Sequence, residues 1–175
     1  MNLIASLETS AEHWTVSPGF GIYVHIPFCL HKCHYCDFNT YEGQQELHGS
    51  YVAALVRDIE RWSGPIRTAS SIYLGGGTPT LLSPRDLERI LVALETRFGI
   101  SEGAEITIEA NPETVDRDKF AQLLSAGFNR FSIGVQSLAP HVLAGLGRTH
   151  SPEVAVGALA AAKRAGASNL NADLI

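Results

Sequence analysis

Short apolar runs and longer amphipathic stretches alternate along this chain. Ile22–Ile26 is a compact β-branched and aromatic run and predicts a strand. Gln44–Trp62 then carries Leu47, Tyr51, Leu55, Ile59 and Trp62 on one face at helical spacing. Ser71–Gly75 predicts a second strand. Ser83-Pro84-Arg85-Asp86 opens a second helix with a cap residue, a first-turn proline and an acid. Leu87, Ile90, Leu91, Leu94 and Phe98 give that helix its apolar face, and Gly99 stops it. Glu105–Glu109 predicts a third strand, Asp116–Ala126 a helix stopped by Gly127, and Arg130–Val135 a fourth strand. A short helix at Pro140–Gly145 and a longer one over Pro152–Ala165, between Ser151 and Gly166, lead to a fifth strand at Asn169–Ile175.

Strand and helix in strict alternation predict an α/β fold around a parallel sheet with right-handed crossovers. A barrel and an open doubly wound sheet both fit that order. Residues 1–20 predict an irregular N-terminal arm ending in the turn signal Ser17-Pro18-Gly19, and residues 21–175 one core domain. The sequence stops within the fifth strand, which would leave an apolar face and a pairing edge uncovered. The expectation is therefore a truncated core, lacking the rest of the sheet and any following domain.

Composition narrows the function classes. At 45% hydrophobic and 18% charged, the 175 residues are those of an ordinary globular domain. A net charge of −5 without a basic run argues against nucleic acid as the main partner. No stretch approaches the ~18 consecutive apolar residues of a membrane span, and Glu8 and Glu12 interrupt the start where a signal peptide would lie. Three clustered cysteines without a secretion signal fit a reducing compartment, so a cytoplasmic location is expected.

Those cysteines, Cys29, Cys33 and Cys36, follow the first strand with the spacing C-x3-C-x2-C. Three thiolates so close form a trap for a soft metal or an iron–sulfur cluster, with a fourth position left open. A structural zinc site closed by His25, His31 or His34 fits the same spacing. Further polar groups fall at the other strand ends. They are Gly75-Gly76-Gly77-Thr78-Pro79-Thr80, Glu109 with Asn111-Pro112, Gln136 and Asp173. In a parallel α/β sheet all of these reach one face, where sites are built. Each also has a plainer reading: a turn leaving a strand, a solvated strand end, a cap, an edge charge. Arg148 in Gly147-Arg148-Thr149-His150 is either a surface residue or a carboxylate clamp. His13, His48 and His141 carry no motif.

Six segments in order resemble one family. They are Tyr-Val-His-Ile-Pro-Phe-Cys (23–29), Gly-Gly-Gly-Thr-Pro-Thr (75–80), Ile-Glu-Ala-Asn-Pro (108–112), Ser-Ile-Gly-Val-Gln-Ser (132–137), Gly-Arg-Thr-His (147–150) and Asn-Ala-Asp-Leu-Ile (171–175). Together with the cysteine loop they resemble radical S-adenosylmethionine (SAM) proteins of the oxygen-independent coproporphyrinogen III oxidase family, including its HemW-like heme-chaperone branch. The resemblance implies a partial (βα)6 TIM-like barrel of the radical SAM type, truncated here in its fifth strand. It implies a [4Fe-4S] cluster on Cys29, Cys33 and Cys36, and SAM on its open iron, cleaved after reduction to methionine and a 5′-deoxyadenosyl radical. By similarity the SAM contacts are Tyr23, the backbone at Tyr35, Gly76, Gly77, Thr78, Glu109, Gln136, Arg148 and Asp173. Implied partners are heme or a porphyrinogen, an electron donor and, for a chaperone, heme-acceptor proteins. No catalytic residue beyond these is assigned.

Two functions from different classes follow. The oxidases of the family carry a further cysteine two positions after the third, where this chain has Phe38, and a longer segment before the first strand. Both departures favour a heme-binding, heme-transferring protein over a coproporphyrinogen dehydrogenase that converts propionates to vinyl groups.

Overall fold

The computed structural model describes residues 19–175; the expected arm therefore lies, up to residue 18, outside the described residues. The strands are β1 (Gly21–Ile26), β2 (Ala69–Gly76), β3 (Ile100–Ala110), β4 (Arg130–Gln136) and β5 (Asn169–Leu174). Between them lie α1 (His48–Glu60), α2 (Pro84–Phe98), α3 (Arg117–Ser125), and the pair α4 (Pro140–Gly145) and α5 (Pro152–Ala165). Ser83 and Ser151 cap their helices as predicted, and Asp116 is a third cap. Ser83, Asp116 and Ser151 side chains accept from the backbone N–H of Asp86, Lys119 and Val154, satisfying amides that a helix start leaves unpaired.

All five strands pair in parallel and in sequential order, β1-β2-β3-β4-β5. A doubly wound sheet reverses its strand order partway. This one does not, so successive right-handed crossovers bring every helix to the same side. The result is a partial TIM-like barrel wall, as the resemblance implied.

Register separates the two faces of that wall. Val24 pairs with Leu74, Leu74 with Ile108, and Ile108 with Phe131, so four apolar residues stand abreast on the helix side. They join Leu87, Ile90, Phe120, Leu123 and Ala162 in one buried core. Phe120 and Phe131 meet edge to face with centroids 5.2 Å apart. The opposite face is polar: His25 stands beside Gly75, Glu109 beside Ser132, and Ser132 beside Asn171. This is the lumen side.

The first helix departs from expectation. It starts at His48, after a 3₁₀ turn at Gln45–Leu47, and ends at Glu60. Leu47 and Trp62 are about half exposed, and Val52 supplies buried contact instead. The helix packs on α2 and, through Tyr51, on the end of β1, where the Tyr51 hydroxyl donates to His25 O and its ring meets Phe28 edge-on. β3 is longer than its alternating segment. It starts at Ile100, and its pairing with β2 skips between Ala69 and Ser71.

The segment between β1 and α1 carries the cysteines. Its backbone docks on the turn after β2: Gly77 N–H donates to Ile26 O at 2.8 Å and Thr78 N–H to Phe28 O at 2.7 Å. Phe28–Cys29 then pairs with Tyr41–Glu42, and Lys32 N–H donates to the Glu42 carboxylate at 2.8 Å, closing the loop on itself.

Two substitutions test this framework. Phe120→Ala removes a fully buried ring and is expected to cost about 3–5 kcal/mol in urea unfolding. In Gly77→Ala the new Cβ would lie 2.5 Å from Phe28 O. We expect a smaller loss, about 1–3 kcal/mol, together with faster tryptic cleavage after Lys32 as the loop lifts off its seat.

Candidate cofactor site

The strand ends and the cysteine loop enclose an open cavity of about 180 Å³. Its lining includes Cys29, Cys33, Cys36 and Tyr35 from the loop after β1, and Gly76, Gly77 and Thr78 from the turn after β2. Glu109 from β3, Gln136 from β4, Arg148 from the segment after α4 and Asp173 from β5 complete the expected set. Six segments separate in sequence thus meet at one mouth, five of them because parallel strands all end on the same side.

Tyr23 is the exception. It is 58% exposed and does not line the cavity. It pairs with Tyr73 three residues before its strand ends, so its ring lies lower on the lumen face, stacked on Tyr73 at 6.1 Å. Its hydroxyl reaches His25 Nδ1 at 2.9 Å.

The three thiols are free and partly buried. Burial pushes the Cys29 thiol up, against the opposing hydrogen bond from Thr78. Arg148 Nη1 donates to Cys33 Sγ at 3.5 Å. The three histidines weighed as a fourth zinc ligand each place a ring nitrogen on a protein partner. His25 Nε2–H donates to Asn39 O, His31 Nε2 bonds Thr149 Oγ1, and His34 Nδ1–H donates to Gly145 O. Among the described residues no three His, Cys, Asp or Glu side chains converge on one metal ion. Three clustered thiols suit a multinuclear group that they ligate at separate atoms.

The resemblance accounts for the glycine run by SAM lying against Gly76 and Gly77. The structure gives a nearer reason. A Cβ on Gly75 would fall 2.6 Å from Tyr73, one on Gly76 2.5 Å from His25, and one on Gly77 against the Phe28 carbonyl. The run is stripped of side chains so that the lumen face and the cysteine loop can pack against it; Gly76 also needs its φ of 114°.

The polar wall is paired in advance. Glu109 accepts from Tyr73 O–H at 2.6 Å and from Gly76 N–H at 3.0 Å. Burial, then the Glu109 carboxylate, push the Tyr73 phenol far above its ordinary range, so it stays a donor. Arg148 Nη2 donates to Asn111 Oδ1 at 2.7 Å and to Gly134 O at 2.9 Å. Asp173 accepts from Ser132 Oγ at 3.0 and 3.1 Å and from Asn171 Nδ2 at 2.5 Å; it faces the lumen and is no mere edge charge. Gln136 does not cap the helix that follows, whose N-cap is Ala139. Sequence reasoning missed Tyr73, Ser132 and Asn171 as partners of this wall. Their one signal was a polar residue at every second position of a buried strand.

Residues 23–175 match the radical SAM superfamily model. Over 161 residues the chain is 41% identical to the heme chaperone HemW of Escherichia coli (strain K12), covering 90% of this chain and 43% of that protein. It is 42% identical over 162 residues to the heme chaperone HemW of Mycobacterium tuberculosis (strain CDC 1551 / Oshkosh), covering 89% and 41%. The chain thus spans less than half the length of these relatives. Among solved structures, the coproporphyrinogen III oxidase HemN from Escherichia coli, described as a radical SAM enzyme, matches with a TM-score of 0.80 at 32% identity, covering 89% of this chain and 37% of that one. The FeFe-hydrogenase maturase HydG from Carboxydothermus hydrogenoformans shares the fold alone, with a TM-score of 0.55 at 16% identity over 89% of this chain and 36% of that one. With its partial barrel, its cysteine loop over the strand ends and a family match from β1 to the last residue, this chain belongs to the radical SAM superfamily.

Proposed function

We propose that Cys29, Cys33 and Cys36 hold a [4Fe-4S] cluster and that Gly76, Gly77, Thr78, Glu109, Gln136, Arg148 and Asp173, with the Tyr35 backbone, receive SAM beside it. Membership of the superfamily implies both groups. When bound, the pair supplies one-electron reductive cleavage of a sulfonium, chemistry beyond any side chain. The donor set fits. Three sulfur ligands would leave one side of a cluster open, and the cavity that the three cysteines line is also walled by an arginine, two carboxylates and an amide. A guanidinium suits the methionine carboxylate, and carboxylates suit an ammonium or ribose hydroxyls. Arg148 also holds Cys33, and the glycine turn holds Cys29 through Thr78. The protein thus orients ligands and cofactor from the same residues and partly excludes water from the thiols.

We further propose that the intact gene product is a heme chaperone, binding heme and passing it to acceptor proteins in the cytoplasm, with an electron donor serving the cluster. The observation that carries this is the 41% identity to HemW across almost all of the chain. Phe38 agrees with it, standing 67% exposed at the cavity rim in place of the oxidase cysteine. Among the described residues no helix is long and apolar enough to cross a membrane. The match to HemN, with a TM-score of 0.80, supports coproporphyrinogen III oxidation as the second reading.

Cys33→Ala is expected to abolish cluster assembly, reducing iron from about four per chain to a trace in anaerobic iron and sulfide analysis. Retention of normal iron and a normal EPR signal would remove Cys33 from the ligand set. Anaerobic incubation of the reconstituted gene product with coproporphyrinogen III, SAM and a reductant separates the two functions. We expect no protoporphyrinogen and tight heme binding; protoporphyrinogen formation would overturn the chaperone reading.

A further inference from the structure

Among the described residues, Gln136 is the one residue other than glycine with a positive φ, at 62°. Its neighbours close a three-residue turn around it, Ser137 N–H donating to Val135 O at 2.8 Å. An i to i+2 bond about a positive φ is the rare, strained form of γ-turn. An L residue holds such a conformation only where its surroundings enforce it. The turn coincides with a bulge: Gly134 pairs with Asp173 and Gln136 with Leu174, so two steps along β4 match one along β5. The bend keeps Gln136 on the cavity at the point where β4 leaves the sheet.

Ile175 N–H holds the Gln136 carbonyl at 3.0 Å, and the groups that hold the two carbonyls leading into the turn come from one short segment, Gly147-Arg148-Thr149-His150. Arg148 Nη2 donates to Gly134 O at 2.9 Å, and His150 Nε2 bonds Val135 O at 3.1 Å. A carbonyl only accepts, so His150 carries its proton on Nε2. The Val135 carbonyl then has both lone pairs engaged, by Ser137 and by His150. His150 is 4% exposed, and its Nδ1 is buried without a hydrogen-bond partner. An interior imidazole with one nitrogen unsatisfied is a poor packing element. Its single hydrogen bond is what the position uses, and that bond ends on the turn. Burial also holds the ring's proton affinity below the ordinary histidine range, which keeps the neutral form in place.

We propose that His150 is a positioning residue of the cofactor site: its Nε2–H fixes the Val135 carbonyl, and with it the strained turn that presents Gln136 to the cavity. The role in cofactor binding rests on reading the cavity as a SAM site; the role in holding the turn does not.

The test uses the intact, cluster-reconstituted gene product. His150→Leu keeps the volume and removes the donor, whereas His150→Gln places an amide N–H where Nε2 stood. We expect His150→Leu to weaken SAM binding about tenfold, with iron content unchanged, and His150→Gln to restore most of it. In a Gln136→Ala background the further loss from His150→Leu should largely vanish, because both changes act on one contact. Full additivity, or His150→Leu binding SAM as the parent does, would overturn the proposal. Hydrogen–deuterium exchange of the 133–138 segment without SAM supplies the independent arm. It should quicken in His150→Leu and not in His150→Gln, and equal exchange in parent and both variants would overturn the clamp. If the parent itself fails to bind SAM, the cofactor reading falls, while the exchange arm still decides the clamp. Should His150→Leu fail to fold, His150→Asn, whose shorter amide does not reach the carbonyl, takes its place.

Discussion

Two backbone hydrogen bonds set where the thiols stand: Gly77 N–H to Ile26 O and Thr78 N–H to Phe28 O. Through them the cysteine loop rides on the end of β2, a strand buried within the sheet, instead of on its own flexible chain. A net bond is worth only about 1 kcal/mol, so two alone would leave the loop mobile. The far side is therefore tied as well. His34 N–H donates to Leu146 O, His31 bonds Thr149, and Arg148 reaches Cys33. The loop spans the mouth like a bridge with footings on the β2 end and on the segment after α4. Neither footing tolerates bulk. A Cβ at Gly77 meets the Phe28 carbonyl, and one at Gly147 meets the His34 ring at 3.1 Å.

The lumen face explains how much of this was legible in the sequence. Caps, stops and apolar runs announce each element locally, so the order of strands and helices followed from neighbours in the chain. Polar residues at strand ends announced the mouth, because parallel strands share a direction. What stayed hidden depends on partners brought by register. Glu105-Ile106-Thr107-Ile108-Glu109 alternates like a half-exposed strand, yet Thr107 is 1% exposed and Glu109 is held by Tyr73. Alternation reports that two faces differ, not that the polar one is enclosed. The stripe of α1 misled for a related reason: Leu47 and Trp62 fit the helical period, but the helix is shorter than the pattern.

The glycine run shows the same limit from the other side. Its sequence demanded close approach by something, and a ligand was the natural candidate. Three different neighbours do the approaching: Tyr73 with Glu109, His25, and the loop backbone. A missing side chain reports a steric conflict without naming the other party. The turn still lines the cavity through Gly76, Gly77 and Thr78, so packing and ligand access share one strip of backbone.

The wall is preorganised, and that bears on what distinguishes relatives built on it. Glu109, Arg148 and Asp173 each already hold partners within the protein. Their positions are determined by strand register and by one another, so little reorganisation remains when a ligand arrives. A substitution in this network leaves a buried group unpaired and costs stability as well as binding. The rim is under no such constraint. Phe38 is 67% and Tyr35 43% exposed, and a change there disturbs no core. Relatives built on the same wall can therefore differ at a position such as Phe38 without disturbing it. An exposed aromatic ring there offers apolar area to a flat macrocycle, whereas a cysteine would offer sulfur chemistry. On this wall, variation costs least at the rim, where the fold leaves residues free to vary.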